Sequence, residues 1–107
     1  MRKAEVYENH ILAGILEESD DGEFIFRYDD YYFADASKRA ISLTLPKEKQ
    51  EYRSSVLFPF FFNMLSEGAN KRIQCLEYKI DERDHFGLLL ATANRDTIGS
   101  VTVKKID

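Results

Sequence analysis

The chain of 107 residues has a single cysteine, Cys75, which leaves no partner for an internal disulfide. A lone free thiol is typical of proteins in a reducing cytosol, so we expect a cytoplasmic protein. The longest apolar run, Val56 through Phe62, is far shorter than the roughly 20 residues that a membrane-spanning helix needs. Basic residues near Met1 have no apolar run behind them, which argues against a signal peptide. The sequence therefore predicts no membrane association.

The five glycines are scattered, and they form neither a Gly-x-Gly-x-x-Gly loop nor a Gly-Lys-Ser motif. Such loops place backbone N–H groups around phosphates, so their absence argues against a nucleotide cofactor. Positive charge is not in excess either, because the formal net charge is -4. A dedicated nucleic-acid binder needs Lys and Arg to neutralise phosphates. Operator binding as part of a larger complex would not require this charge from the chain itself.

Side chains that could support catalysis or bind a metal do not converge in the sequence. His10 and His85 are far apart, and neither has Asp or Glu at a recognisable metal-ligand spacing. Cys75 falls within an expected helix with no base beside it, which is typical of a core residue. The segment from Asp84 to Gly87 departs from the kinase Asp-Phe-Gly motif because His85 is inserted. We therefore expect no catalytic residue, no cofactor and no metal.

Alternation of apolar and polar residues predicts an antiparallel sheet of about five strands. Turn signals at Glu8 to His10 and at Asp20 to Gly22 join the first three strands as hairpins. Pro46 should end the fourth strand, because proline cannot donate to a ladder, and Lys47 through Arg53 then form a charged loop. The predicted strands are Ala4 to Glu8, Ile11 to Glu17, Phe24 to Tyr28, Ile41 to Leu45, and Val101 to Val103.

Helical spacing of apolar residues follows in three segments. The first helix starts at Ser54 or Ser55, ends at Gly68 and is apolar almost all round, so it is either central or offers a face to a partner. The second runs from Asn70 to Tyr78 with Ile73, Leu76 and Cys75 inward. The third is capped by Asp81 and Asp84 and turns Phe86, Leu89, Leu90 and Ala93 inward. Residues 29–38 form a connection or one short helical turn. Strands, then helices, then a strand predict one α+β domain over residues 1–107 rather than a parallel α/β fold.

Aromatic residues are numerous for a domain of this size, and two interpretations stay open. They either fill the core or form part of a protein-binding face, since exposed aromatic patches are typical of partner surfaces. The residues in question are Tyr28, Tyr31, Tyr32 and Phe33 before the fourth strand, and Phe58, Phe60, Phe61 and Phe62 in the first helix.

Three blocks of the sequence, the last of them in two parts, carry a family pattern. Ile41 to Pro46 contains Ser-x-x-Leu-Pro, and Phe58 to Gly68 follows Phe-Phe-x-x-Leu-Leu-Pro-Glu-Gly. Asp84 to Leu90 and Asp96 to Val103 follow Phe-x-Leu-Leu and Asp-x-x-Gly-Ala-Val. Their order and approximate spacing resemble the N-terminal subdomain of HipA-type toxin kinases. The chain departs from the pattern at Ser66, where the family often has Pro, and after Gly68, where a bulky residue is common.

This resemblance implies a curled, barrel-like antiparallel sheet with about three helices packed on it. It also implies a free-standing small subunit of the HipS type, a non-catalytic antitoxin that binds and restrains a HipA-type serine/threonine kinase of the HipT kind. The alternative is a structural subunit that completes an active split kinase. A HipB-like helix-turn-helix protein would belong to the larger complex. The resemblance places the partner-binding residues at the end of the first helix and the loop after it: Phe62, Ser66, Glu67, Gly68, Ala69 and Asn70.

Overall fold

The computed structural model describes residues 2–65, 68–92 and 100–106. Five strands form one antiparallel sheet: β1 (Arg2–Glu8), β2 (Ile11–Glu18), β3 (Phe24–Tyr28), β4 (Glu51–Ser54) and β5 (Val101–Ile106). The strand order is β4-β3-β2-β1-β5, so β1 pairs with both β2 and β5. Within the described ranges, four helices accompany the sheet: α1 (Asp30–Ala34), α2 (Pro59–Phe62), α3 (Gly68–Tyr78) and α4 (His85–Thr92). The α+β class and the antiparallel sheet are confirmed.

The sheet is open rather than a closed barrel, because β4 and β5 are its edges among the described strands. Both predicted hairpin turns are present. Asn9 and His10 adopt φ values of 50° and 67°, as a two-residue type I′ turn requires, and Gly22 has a φ of 82° in the second turn. None of the described helices is long and apolar enough to cross a membrane.

The predicted fourth strand is wrong. Residues 41–45 form turns, and β4 pairs with β3 instead, although residues 51–53 were predicted to lie in a charged loop and Ser54 at the start of a helix. The inward position of the two terminal residues of this predicted strand is nevertheless correct, because Ile41 and Leu45 are both buried. The buried hydroxyl of Tyr28, the last residue of β3, accepts a hydrogen bond from the Ile41 N–H and donates one to the Leu45 carbonyl. These two backbone groups therefore bond to a side chain and not to a neighbouring strand.

The predicted first helix is too long, and Gly68 does not end it. The helical part, α2, begins at Pro59, where the missing N–H costs nothing, and it ends when Asn63 N–H bonds back to the Pro59 and Phe61 carbonyls. Gly68 is instead the first residue of α3.

The second and third predicted helices exist as α3 and α4. In α3 the inward position of Cys75 is confirmed, whereas Ile73 and Leu76 are 60% and 80% exposed, contrary to prediction. In α4, Phe86 and Leu89 are buried as predicted, and Asp84 accepts a hydrogen bond from the Gly87 N–H at 3.0 Å, as a helix cap does. The predicted inward position of Ala93 lies outside the described residues.

The core lies between one face of the sheet and the helices. Most of the aromatic residues fill it, since Tyr28, Tyr32, Phe58 and Phe61 are buried and Phe33 and Phe60 are partly buried. The two exposed members of the aromatic set are Tyr31 and Phe62. Core filling is therefore the correct interpretation for most of these rings, and Tyr31 and Phe62 are the exposed exceptions.

Arg2 ties the start of β1 to the start of α4. Its guanidinium donates to both carboxylate oxygens of Asp84, at 3.0 and 2.8 Å, and to Glu18 at 2.8 Å. It also lies 5.2 Å from the centre of the Phe86 ring. The hydrogen bonds from Arg2 lower the pKa of Asp84, although partial burial opposes the shift. The same carboxylate therefore caps α4 and anchors it to the sheet.

We expect Asp84→Ala to lower the free energy of unfolding by about 1 to 2 kcal/mol, since it removes a helix cap and leaves Arg2 with Glu18 alone. The direct ion-pair share should be small because both side chains are about one-third exposed. Urea unfolding measures the change. Since the folded pKa of Asp84 is lowered, its contribution is present above the ordinary value of 3.8 and is lost as the pH falls through the folded pKa.

Glu77→Ala is the matched control, because it removes the same charge from an exposed position in α3. Equal stability of Asp84→Ala and Glu77→Ala at neutral pH would contradict the anchoring role of Asp84.

Candidate partner-binding surface

Phe62, the predicted partner-binding residue at the end of α2, lies at the surface. Its side chain is 40% exposed. The ring packs edge-on against His85, the first residue of α4, with 4.9 Å between the ring centres and 86° between the planes. The end of α2 and the start of α4 thus present an aromatic pair to solvent.

The other predicted partner-binding residues do not form the single loop that the sequence predicted. Ser66 and Glu67 lie outside the described residues. Gly68, Ala69 and Asn70 form the first turn of α3, so this part of the prediction, a loop extending through Asn70, is wrong. The helical spacing of apolar residues predicted one helix that continued up to Gly68, so the start of a separate helix at Gly68 was not predicted.

Later turns of α3 carry two apolar side chains that the sequence analysis placed in the core. Ile73 and Leu76 are three residues apart, which puts them on the same side of a helix. Cys75, between them in sequence, points into the protein and is buried. The exposed side of α3 is therefore partly apolar.

The segment of residues 39–46, which we call the anchored loop, is held by three tyrosine hydroxyls. Tyr32 donates to the Arg39 carbonyl at 2.7 Å, and Tyr52 donates to the Pro46 carbonyl at 2.6 Å. Between these points the Tyr28 hydroxyl accepts from the Ile41 N–H at 3.1 Å and donates to the Leu45 carbonyl. The backbone of the loop is therefore fixed to the domain at both ends, Arg39 and Pro46, and at two positions near them, Ile41 and Leu45.

Further hydrogen bonds stabilise the anchored loop, some between its own residues and others made by Lys47, the residue that follows it. The Leu45 N–H bonds to the Ser42 carbonyl at 3.1 Å, and the Thr44 N–H bonds to the Ser42 hydroxyl at 3.2 Å. The Lys47 ammonium donates to the carbonyls of Asp35 and Lys38 at 2.7 and 2.9 Å. At the tip of this constrained turn the side chain of Leu43 is 99% exposed.

A cleft of about 480 Å³ lies beside Leu43. Its apolar wall consists of Ile41, Leu43, Pro46, Phe60 and Val101, and its polar lining includes Glu8 and Arg39. The Glu8 carboxylate accepts a hydrogen bond from the Ser100 hydroxyl. No carboxylate of the described residues lies within 4.0 Å of the Arg39 guanidinium.

The anchored loop could not be predicted from periodicity, because residues 41–45 alternate between apolar and polar as a strand does. Ser42 and Thr44 carried the opposite signal, since hydroxyl side chains that bond nearby backbone groups favour turns. The pairing of Tyr28 with residues 13 and 17 positions away could not be read from local spacing.

Within the described ranges, no group of three or more His, Cys, Asp or Glu side chains could hold a metal ion. His85 contacts Phe62, and the Cys75 thiol is buried. Several large apolar side chains are exposed among the described residues, among them Leu43, Phe62 and Leu76, and such side chains are suited to contact with another macromolecule.

Comparison with known families is decisive for this chain. Residues 4–104 match the model of the HipA N-terminal domain. The chain belongs to the HipA N-terminal domain family. It is 30% identical over 105 residues to an uncharacterised protein of Haemophilus influenzae, and the match covers 98% of this chain and 93% of that protein. A solved structure of the N-terminal domain of HipA toxin has a TM-score of 0.74 and 29% identity, over 100% of this chain and 94% of that one.

Membership of the HipA N-terminal domain family confirms the resemblance drawn from the three sequence blocks. The first of those blocks, Ile41 to Pro46, falls within the anchored loop. The Ser-x-x-Leu-Pro pattern here thus encodes a closed turn, in which Ser42 bonds within the loop and Leu45 is buried.

We expect Tyr28→Phe to lower the free energy of unfolding by about 1 to 3 kcal/mol, because it leaves the Ile41 N–H and the Leu45 carbonyl without their buried partner. Tyr31→Phe, which removes the same atom from an exposed ring, should change stability by less than about 0.5 kcal/mol. Urea unfolding measures both variants. Equal effects would contradict the anchoring role of the Tyr28 hydroxyl.

Alkaline unfolding gives a second measure of the same group. Burial raises the pKa of Tyr28 from 10.0 to about 12. The unfolded chain therefore loses this proton first, so the contribution to stability is complete below about pH 10 and declines as the pH rises toward 12. Tyr28→Phe should show a smaller loss of stability over that range than the unsubstituted chain.

Proposed function

We propose that this chain is a non-catalytic antitoxin module of the HipS type, which binds a HipA-type serine/threonine kinase and restrains it. The observation that carries the proposal is the match of residues 4–104 to the N-terminal domain of HipA. The Haemophilus influenzae relative supports it as well, because 93% of that protein is matched and domain-sized chains of this family therefore occur.

The exposed side chains favour a protein partner. Leu43, Phe62, Ile73 and Leu76 are all large, apolar and at least two-fifths exposed. Exposed apolar side chains of this kind become buried when proteins associate, and they are poor ligands for phosphates or metals. The net charge of -4 favours a protein partner over nucleic acid for the same surface.

We place the main contact at the end of α2 and the start of α3. Phe62 lies on one side of residues 66 and 67 in sequence, and Gly68, Ala69 and Asn70 lie on the other, in the first turn of α3. The partner-binding set of the sequence analysis is thus retained as a proposal, with its last three residues now on a helix. The ring of Phe62 supplies the aromatic anchor typical of protein interfaces.

The second candidate from the same family is a subunit that completes an active split kinase. Both candidates require a complex, but they have opposite effects on phosphorylation. A HipB-like helix-turn-helix protein would join either complex, and any contact with DNA would come from that protein.

We expect the chain to co-purify with a cognate HipA-type kinase and to lower the rate of phosphate transfer by that kinase. Copurification and a phosphorylation assay with labelled ATP, at increasing amounts of the chain, measure the two effects. A rise in the rate would favour the completing subunit and contradict restraint. The absence of a complex would contradict both candidates.

We expect Phe62→Ala to weaken the complex at least tenfold with little loss of stability, because that ring is already partly in water. Phe61→Ala, at the adjacent and fully buried position, should instead cost about 3 to 5 kcal/mol of stability. Tyr31→Ala removes an exposed ring from α1 and serves as the control for binding. Wild-type affinity of Phe62→Ala in calorimetry would contradict the proposed contact.

A further inference from the structure

We infer that the anchored loop is a second docking element for the kinase. In this arrangement an apolar side chain of the kinase occupies the cleft beside Leu43, and a neighbouring carboxylate of the kinase pairs with Arg39. This inference rests on the proposed function, because it takes the HipA-type kinase as the occupant.

Rigidity of the anchored loop is the first support. Tyr28, Tyr32 and Tyr52 fix its backbone at four points, so little freedom remains to be lost when a partner binds. Leu43 stands on this fixed backbone and is 99% exposed, so it adds little to the packing of the domain itself. A large apolar side chain held outward by a preorganised loop is suited to burial against another protein.

The shape of the cleft is the second support. Ile41, Pro46 and Phe60 form an apolar wall next to Leu43, and the volume of about 480 Å³ is ample for one large side chain. Phe60 belongs to α2, whose last residue is Phe62. The cleft and the proposed main contact therefore belong to the same short helix but to different sides of it, since residues two positions apart in a helix do not face the same way. The kinase would have to extend around the end of α2 to contact both.

Charge is the third support, although Glu8 as well as Arg39 lines the cleft. Glu8, the acidic residue of the cleft, bonds to the Ser100 hydroxyl, and the Arg39 guanidinium has no carboxylate within 4.0 Å in the described part of the chain. An arginine at the edge of an apolar cleft matches an acidic side chain on the partner, with which it can form two parallel hydrogen bonds. The expected kinase segment is an apolar residue flanked by Asp or Glu.

Two substitutions test the inference without disturbing the anchors, because Tyr28, Tyr32 and Tyr52 all bond to backbone atoms of the loop. We expect Leu43→Ser and Arg39→Glu each to weaken binding of the kinase at least tenfold in calorimetry. Urea unfolding of each variant should match that of the unsubstituted chain. Tyr31→Ser and Lys104→Glu make comparable changes at an exposed aromatic and an exposed basic residue elsewhere, and they should leave the affinity unchanged.

The salt dependence of kinase binding tests whether Arg39 acts through its charge and not through the shape of its side chain. Binding of the unsubstituted chain should weaken as salt rises, because salt screens the attraction of Arg39 for the kinase carboxylate. Binding of Arg39→Glu should instead weaken less, or strengthen, because salt screens the new repulsion. A salt response of Arg39→Glu identical to that of the unsubstituted chain would overturn the assigned pairing.

The outcomes distinguish this inference from the proposed function. If the unsubstituted chain binds the kinase and both loop variants bind equally well, the second docking element is wrong and the proposed function stands. If the unsubstituted chain forms no complex, both are overturned. If ultracentrifugation shows self-association that Leu43→Ser abolishes while the kinase affinity is unchanged, the occupant is a second copy of this chain and the inference is overturned.

Discussion

The hydroxyl of Tyr28 is the group on which the surface of this domain depends most. It lies at the end of β3 with its ring fully buried, stacked on Tyr32 at 5.9 Å and edge-on to Phe26 at 4.9 Å. From that fixed position it joins Ile41 to Leu45 and turns the chain back on itself. Buried backbone groups need partners, and a single side chain satisfies two of them here. A residue of the sheet thereby determines the conformation of the anchored loop, although that loop forms no strand of the sheet.

The sorting of apolar side chains between core and surface links this architecture to function. Phe61 is fully buried and Phe62 is partly exposed, although they are adjacent in one short helix. The same division separates Cys75 from Leu76 in α3, and Leu45 from Leu43 in the anchored loop. In each pair the buried member stabilises the domain, and the exposed member is free to contact a partner. Membership of the HipA N-terminal domain family makes a kinase the partner that we propose.

Much of the fold could be predicted because it is encoded locally. The first three strands, the two hairpin turns, α4 with its Asp84 cap, and β5 follow from periodicity and turn chemistry. Prediction failed where a distant contact decided the outcome. Residues 41–45 alternate like a strand, yet Tyr28 takes their backbone bonds, and Ile73 and Leu76 have helical spacing but face solvent. The predicted partner site stays a prediction, and the structure adds only that Phe62 is exposed. The hydroxyl residues Ser42 and Thr44 were the one local signal of the turn that exposes Leu43.

The central claim is that this domain is a docking module whose α2, start of α3 and anchored loop contact a HipA-type kinase. Hydrogen exchange of the chain with and without the kinase, followed by mass spectrometry of its peptides, tests this claim most directly. The account predicts slower exchange in peptides that cover residues 39–46 and 59–70 when the kinase is bound, and unchanged exchange in peptides that cover the β2–β3 turn at residues 19–23. Slower exchange confined to that turn, or no change in any peptide of a complex that forms, would contradict it.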